Sequence, residues 1–335
     1  MIHDSKISFV FFGTDEFSII VLEELKKAGF VPALIVTATN KKMGRGMRLT
    51  PPPVKLWAQK NNIPFLQPEK LDDVSCYKLK TNDYGLFIVA SYGKIIPKRI
   101  LDIPTKGALN VHPSLLPLYR GPSPIESQIL DGADEREATG ATIILMDEKM
   151  DHGPILASRV LEFPISNFQF PNKPHITNKK LWETRGKDGP CPPEEDPPSA
   201  DEIRPVLARV FHSMTSPELH DALAHLGGAL LAETIPKWLA GEITPQEQEH
   251  EKATYTKKIT KEDGQISLDD DPKTLHRKFR AFASWPSLYF FDEKKLRVKI
   301  TDAELRDDKF IIKKIIPEGK KETNYETWRI QQKPS

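Results

Sequence analysis

The stretch GALNVHPSLLPLYRGPSPI, residues 107–125, sets Asn110 and His112 two positions apart and follows them with Pro113. On a β-strand, side chains at i and i+2 share a face, so an amide and an imidazole aim at one spot while Val111 points into the opposite layer. Pro113 has no N–H for a ladder and holds the residue before it extended, which places the pair at the carboxyl end of a strand. A plain strand end, with Asn and His bonded to backbone or water, fits this pattern, and so does a reactive pair. A second cluster, MDEKMDHG, gathers Asp147, Glu148, Asp151 and His152 in a turn ending at Gly153. A carboxylate from this turn beside His112 would hold the ring and favour its imidazolium form. Asn, His and Asp together suit a carbonyl reaction in which negative charge develops on oxygen. Amide and imidazolium donors stabilise that oxygen, and the carboxylate helps move the proton off the nucleophile.

Other chemistries find less support. HPSLLP is not a G-x-S-x-G elbow, which points to direct transfer to a bound acceptor and away from a covalent enzyme intermediate. FVFFGTDEF carries only Gly13, without the G-x-G-x-x-G turn of a dinucleotide site. The nine histidines form no i,i+4 pair with a third ligand, and Cys76 and Cys191 stand far apart, so no metal is expected.

The elements that must position these residues read as α/β. KISFVFFGT, VPALIVTAT, DYGLFIVASYG and GALNVHP are apolar strand runs, alternating with helical stretches such as DEFSIIVLEELKKAG, PPVKLWAQKNN and PKRILDIP. That alternation predicts a doubly wound, mostly parallel sheet, with ligands at the carboxyl ends of its strands. PIESQILDG reads as a helix and GATIILMDEKMDHGPILASRVLEF as two strands around a turn. Residues 166–205, rich in Pro and charge and without a period, read as an inserted loop. SPELHDALAHLGGALLAETIPKWLAG is a helix with Ser216 as N-cap candidate. TPQEQEHEKAT reads as a polar linker, and short strand-like runs after Tyr255 predict a small β domain. The predicted division is 1–240 catalytic, 241–254 linker and 255–335 C-terminal.

The 335 residues suffice for two domains, and 48 Lys+Arg against 47 Asp+Glu leave a net charge near zero. A nucleic-acid partner would therefore have to be met by a local basic patch. No signal peptide and no apolar run of ~20 residues is read; the two separated cysteines point to a reducing, cytoplasmic compartment, and a monomer is expected.

NVHPSLLPLYRGPSPIESQILDG with TGATIILMDEKMDHGPIL resembles the formyltransferase family that takes its one-carbon unit from 10-formyltetrahydrofolate. The resemblance implies a catalytic set of Asn110, His112 and Asp151, and a folate-lining segment of Ser114, Leu115, Leu116 and Pro117. FFGTDEFS and TATNKKMGRGMRLTPPPVKLWAQKNNIPFLQPEKL resemble the branch whose acceptor is initiator methionyl-tRNA. It covers about residues 6–165 closely and the later helix and C-terminal segments more loosely. It implies an OB-like barrel at the C-terminus, here shortened. The family's G-T-P turn has Asp15 in place of Pro, and the insertion at 166–205 is outside its usual pattern. Rival readings are a formyltransferase acting on a sugar nucleotide or other small amine, and a folate- or RNA-binding protein without turnover.

NKKMGRGMR places Lys41, Lys42, Arg45 and Arg48 in a Gly-containing loop. Such a loop is either simply solvated or shaped to a phosphate backbone that Lys and Arg neutralise; the resemblance favours the tRNA acceptor arm, with Arg45 foremost. Lys257, Lys258, Arg277, Lys278 and Arg280, with Phe279 and Phe282, form a second basic group. Phe17 is implied to line the methionyl pocket, although helix–sheet packing also explains it.

Overall fold

The computed structural model describes residues 7–43, 46–134, 138–161 and 214–332; Arg45 and the 166–205 insertion lie outside them. In chain order the first elements are β1 (Phe9–Gly13), α1 (Glu16–Lys27), β2 (Leu34–Val36), β3 (Lys41–Met43), β4 (Arg48–Thr50) and α2 (Pro53–Lys60). Then come β5 (Phe65–Leu66), α3 (Asp73–Lys80), β6 (Leu86–Ala90), α4 (Lys98–Leu101), β7 (Ala108–His112), α5 (Pro124–Leu130), β8 (Gly140–Leu145) and β9 (Ile155–Val160). The chain continues with α6 (Ser216–Leu239), α7 (Pro272–Ala281), β10 (Tyr289–Phe291), β11 (Arg297–Arg306), β12 (Lys309–Pro317), β13 (Thr323–Asn324) and α8 (Tyr325–Gln332).

The central sheet has the order β5-β2-β1-β6-β7-β8-β9. The five strands from β5 to β7 run parallel, and β8 and β9 complete it antiparallel. Every residue of FVFFG and LFIVA in β1 and β6 is buried, as strands covered on both faces must be. The chain leaves β1 towards β2 on one side and returns to β6 on the other. This reversal opens a crevice at the carboxyl ends of the strands, the place where such sheets bind ligands.

Asp15, the departure from the family's G-T-P turn, has a local role. Its Oδ1 accepts from the Ser18 N–H at 3.3 Å and caps α1. Helix α6 packs against α1 and covers the β7–β9 side of the sheet. Its N-cap is Thr215, one residue before the predicted Ser216, and the Thr215 N–H donates to Glu218 at 2.8 Å. Gly227 sets how closely α6 approaches the sheet, because a Cβ there would lie 2.5 Å from Cγ1 of Val111. Val111 is buried. The strand residue between Asn110 and His112 is thus anchored under the helix.

The C-terminal part is an antiparallel sheet in the order β10-β11-β12-β13. It also holds two helices that strand-like patterning did not predict, α7 and α8. Arg280 of α7 is 2% exposed and bonded to the buried Asp134 at 2.5 Å. That corrects the second basic group: Arg280 is a core ion pair and Phe282 is a core residue. No helix among the described residues is long and apolar enough to cross a membrane.

Candidate active site

Asn110 and His112 stand on β7, in register with Ile144 and Thr142 of β8. The turn after β8 carries Asp151 to both of them. Asp151 Oδ1 lies 3.5 Å from Asn110 Nδ2 and 3.5 Å from His112 Nδ1. Its Oδ2 accepts from the Gly121 N–H at 2.8 Å. His112 is 4% exposed, and its Nε2 faces the Tyr119 carbonyl at 3.1 Å. A carbonyl can only accept, so Nε2 carries a proton and Nδ1 is the nitrogen turned to the carboxylate.

Asp151 adopts φ +50, the left-handed region that Asp and Asn tolerate better than most residues. Gly153 follows for a different reason: a Cβ there would come within 3.0 Å of the Leu145 carbonyl carbon and closer still to its oxygen. The turn therefore lies against the end of β8, and no larger residue fits.

The other carboxylates of the turn go elsewhere. Asp147 bonds His152 Nδ1 at 2.6 Å and the Lys149 N–H at 2.9 Å. Asp147 and Glu148 line a cavity of about 400 Å³ with Lys98, Lys106 and Trp238, beside Gly107 and Ala108 at the amino end of β7. Asp151 is the carboxylate that meets His112.

The Ser114–Pro117 segment follows directly. Ser114 is fully buried and donates to the Leu118 carbonyl at 2.7 Å. Thr142 donates to the Ser114 carbonyl at 2.7 Å and accepts from the Leu116 N–H at 3.1 Å. Leu116 is buried, whereas Leu115 and Pro117 are half-buried and present an apolar edge.

Two features escaped sequence reasoning. Residues 246–254, expected as part of a polar linker, and the first two residues of the expected C-terminal domain run alongside 117–123 and complete the site's wall. Gln246 and Ile155 exchange backbone hydrogen bonds at 2.7 and 2.9 Å, and Arg120 does the same with Thr254 and Thr256 at 2.9 and 2.7 Å. The His250 ring stacks on His152 at 4.1 Å. The other feature is Glu126 on α5. Burial pushes its carboxyl up, opposed by its own helix N–H and by the charge of His220. The His220 ring meets Phe17 edge-on at 5.4 Å, and Phe17 is 3% exposed, within the α1–α6 packing.

Lys41, Lys42 and Arg48 stand on the antiparallel hairpin β3–β4, where an irregular loop was expected. All three are exposed, and none forms an ion pair among the described residues. Met47 and Leu49 beside them are 62% and 65% exposed. Burial lowers the nearby Lys94 ammonium, and the Lys41 charge lowers it further against the pull of Glu69. No group of three or more potential metal ligands occurs among the described residues.

Residues 5–166 match the formyl transferase family and residues 258–329 the formyl transferase C-terminal domain family. The methionyl-tRNA formyltransferase of Chloroflexus aurantiacus is 36% identical over 283 residues, covering 84% of this chain and 75% of the relative. That of Listeria innocua is 35% identical over 301 residues, covering 90% and 80%. Among solved structures, the methionyl-tRNA formyltransferase from Clostridium thermocellum aligns with a TM-score of 0.51 at 17% identity, covering 93% of this chain and 98% of that one. An N-formyltransferase from Helicobacter canadensis, solved with folinic acid and dTDP-3-aminofucose, aligns with a TM-score of 0.55 at 17% identity, covering 90% and 88%. With the Asn–His–Asp convergence on a mostly parallel sheet and both domains matched, this chain belongs to the methionyl-tRNA formyltransferase family.

Proposed function

We infer that this chain transfers the formyl group of 10-formyltetrahydrofolate to the α-amine of initiator methionyl-tRNA, the bond from the formyl carbon to the folate nitrogen breaking to release tetrahydrofolate. The observation that carries the reading is the convergence of Asn110 and His112 on Asp151 at the carboxyl end of β7. The donor set fits a formyl donor: an amide N–H, an imidazole and a carboxylate suit a carbonyl whose oxygen gains charge. When bound, the folate supplies a formyl carbon open to attack by an amine.

The remaining tasks belong to the protein. Leu115 and Pro117 offer an apolar edge on which the folate would be held, next to Asn110. Asn110 Nδ2 donates to the oxygen that becomes negative. Asp151 Oδ1 holds the Asn110 amide and the His112 ring in one orientation and takes up the proton that the amine sheds. His112, fixed through Nε2 on the Tyr119 carbonyl, passes that proton at Nδ1. An α-amine with a reference pKa of ~7.7–8.0 is already partly neutral near pH 7.5, so orientation and charge stabilisation are the main demands. In this reading residues 1–240 carry the chemistry. The β3–β4 hairpin and residues 255–335 meet the tRNA, and Phe17 contributes to the methionyl pocket.

The test offers labelled formyl donor with charged initiator tRNA, free methionine and an amino-sugar nucleotide in parallel. Label should appear on the charged tRNA alone. Label on the sugar with none on the tRNA moves the chain to the small-amine branch, and label on none of them makes it a binding protein.

A further inference from the structure

We propose that Gln248 is a positioning residue for the Asp151 carboxylate, itself oriented by the buried guanidinium of Arg120; this rests on the catalytic reading of Asp151 above. Gln248 is 5% exposed and comes from a segment about a hundred residues beyond the turn it serves. Its Nε2 donates to the Asp151 carbonyl at 3.0 Å and to the Gly153 carbonyl at 2.7 Å. Both amide hydrogens are therefore spent on the backbone either side of His152. Its Oε1 accepts from Arg120 Nη2 at 2.6 Å and from Nε at 3.2 Å.

Arg120 determines which way the amide points. A guanidinium only donates, so the Gln248 oxygen must face it, and the NH2 group must then face the two carbonyls. Arg120 is 1% exposed, and its other partners are neutral: His250 Nδ1 at 2.9 Å and the Tyr255 hydroxyl at 3.3 Å. No carboxylate pairs with it among the described residues. A buried charge satisfied only by neutral acceptors has little freedom to reorient, which makes it a rigid reference for the amide.

The clamp acts where Asp151 has least conformational support. Asp151 is held at φ +50, and the orientation of its carbonyl fixes the peptide that follows. The direction of the Cα–Cβ bond towards Asn110 and His112 depends on that peptide. The stacking of His250 on His152 adds a restraint from the same segment. A small rotation of this turn would carry Oδ1 out of reach of both partners, and misplacement on the order of 1 Å costs about 100-fold in rate.

Gln248→Glu separates positioning from mere structural support. The new carboxylate gives Arg120 a charged partner, which offsets the two lost hydrogen bonds in part and should keep the protein folded, with a lower melting temperature. The donor to Asp151 and Gly153, however, becomes an acceptor facing two carbonyls. Turnover should fall about 10- to 100-fold while KM for charged tRNA and for the folate stays within about twofold. Gln248→Met, neutral and of similar length, carries the same comparison if the Glu variant does not fold. Each change is also measured by single turnover in an Asp151→Asn background, where positioning has lost its object and should have no further effect. Wild-type turnover in a folded Gln248→Glu protein, or a loss that simply multiplies with that of Asp151→Asn, overturns the clamp. Should Asp151→Asn itself keep wild-type turnover, it is the catalytic reading of Asp151 that fails.

Discussion

Removing the positive charge of the β3–β4 hairpin should change the salt dependence of tRNA use and little else. Lys41, Lys42 and Arg48 are exposed, have no acidic partner among the described residues and stand on a two-stranded ribbon outside the main sheet. Their side chains are exposed, so Lys41→Ala/Lys42→Ala/Arg48→Ala should leave the melting temperature nearly unchanged. If each cation neutralises one phosphate, it contributes ~0.7–0.9 to the slope of log KM against log salt. Three contacts give ~2–2.7, which over a rise from about 50 to about 200 mM salt is a ~20- to 40-fold increase in KM. The variant should lose that part of the dependence and bind charged tRNA more weakly at low salt. Its turnover at saturating tRNA should match wild type, because the hairpin holds none of the groups at Asp151. The assay is initial rate against charged initiator tRNA at four salt concentrations, with the folate saturating. An unchanged slope with unchanged KM at low salt would show the hairpin to be merely solvated.

The other expectations are briefer. Asp151→Asn should cost ~10²–10⁴ in turnover with melting preserved, since Asn tolerates φ +50 and still offers an oxygen to the Gly121 N–H. Arg45→Ala should lower the salt slope by about one and spare folate binding. Burial pushes the Glu24 carboxyl up, but hydrogen bonds from Lys27 and His225 and their charges outweigh it and hold it below its ordinary 4.5. Its contribution is thus complete above pH 4.5 and lost as pH falls further, so Glu24→Gln should flatten the acid limb of stability measured by thermal melts below that pH. Replacing residues 166–205 by a short Gly/Ser linker should leave formyl transfer intact; a collapse of turnover in a folded protein would make the segment a functional element.

How much of this was legible in the sequence depended on the range of the contacts involved. Alternating apolar runs marked the parallel strands, and the two-residue period alone put Asn110 and His112 on one face with Val111 on the other. The choice of Asp151 over Asp147 and Glu148 came from resemblance, since residues in one turn are equivalent until the turn's backbone is known. Gln248 and His250 read as solvated because QEQEHE has no apolar period. What orders them is Arg120, 128 residues away from Gln248 in sequence. Arg120 itself sat in the quoted stretch, and a lone cation between Leu118 and the prolines was the signal available. Arg280 failed in the same way: it looked like part of a basic face, and its burial depends on Asp134, 146 residues distant. Helices α3 and α8 have eight residues each, too short a window for periodicity to register, and lack the leading proline that marked the equally short α2.

On this mechanism Asn110, His112 and Asp151 act together to move a formyl group onto charged initiator tRNA. The most direct test is the single-turnover rate of formylmethionyl-tRNA formation with enzyme in excess, compared between wild type and His112→Gln. Gln can still donate to the Tyr119 carbonyl but cannot pass a proton. Wild type should transfer the label and the variant should be slower by ~10²–10⁴, with tRNA affinity unchanged. Equal rates in the two proteins, or no transfer by wild type, would contradict this mechanism.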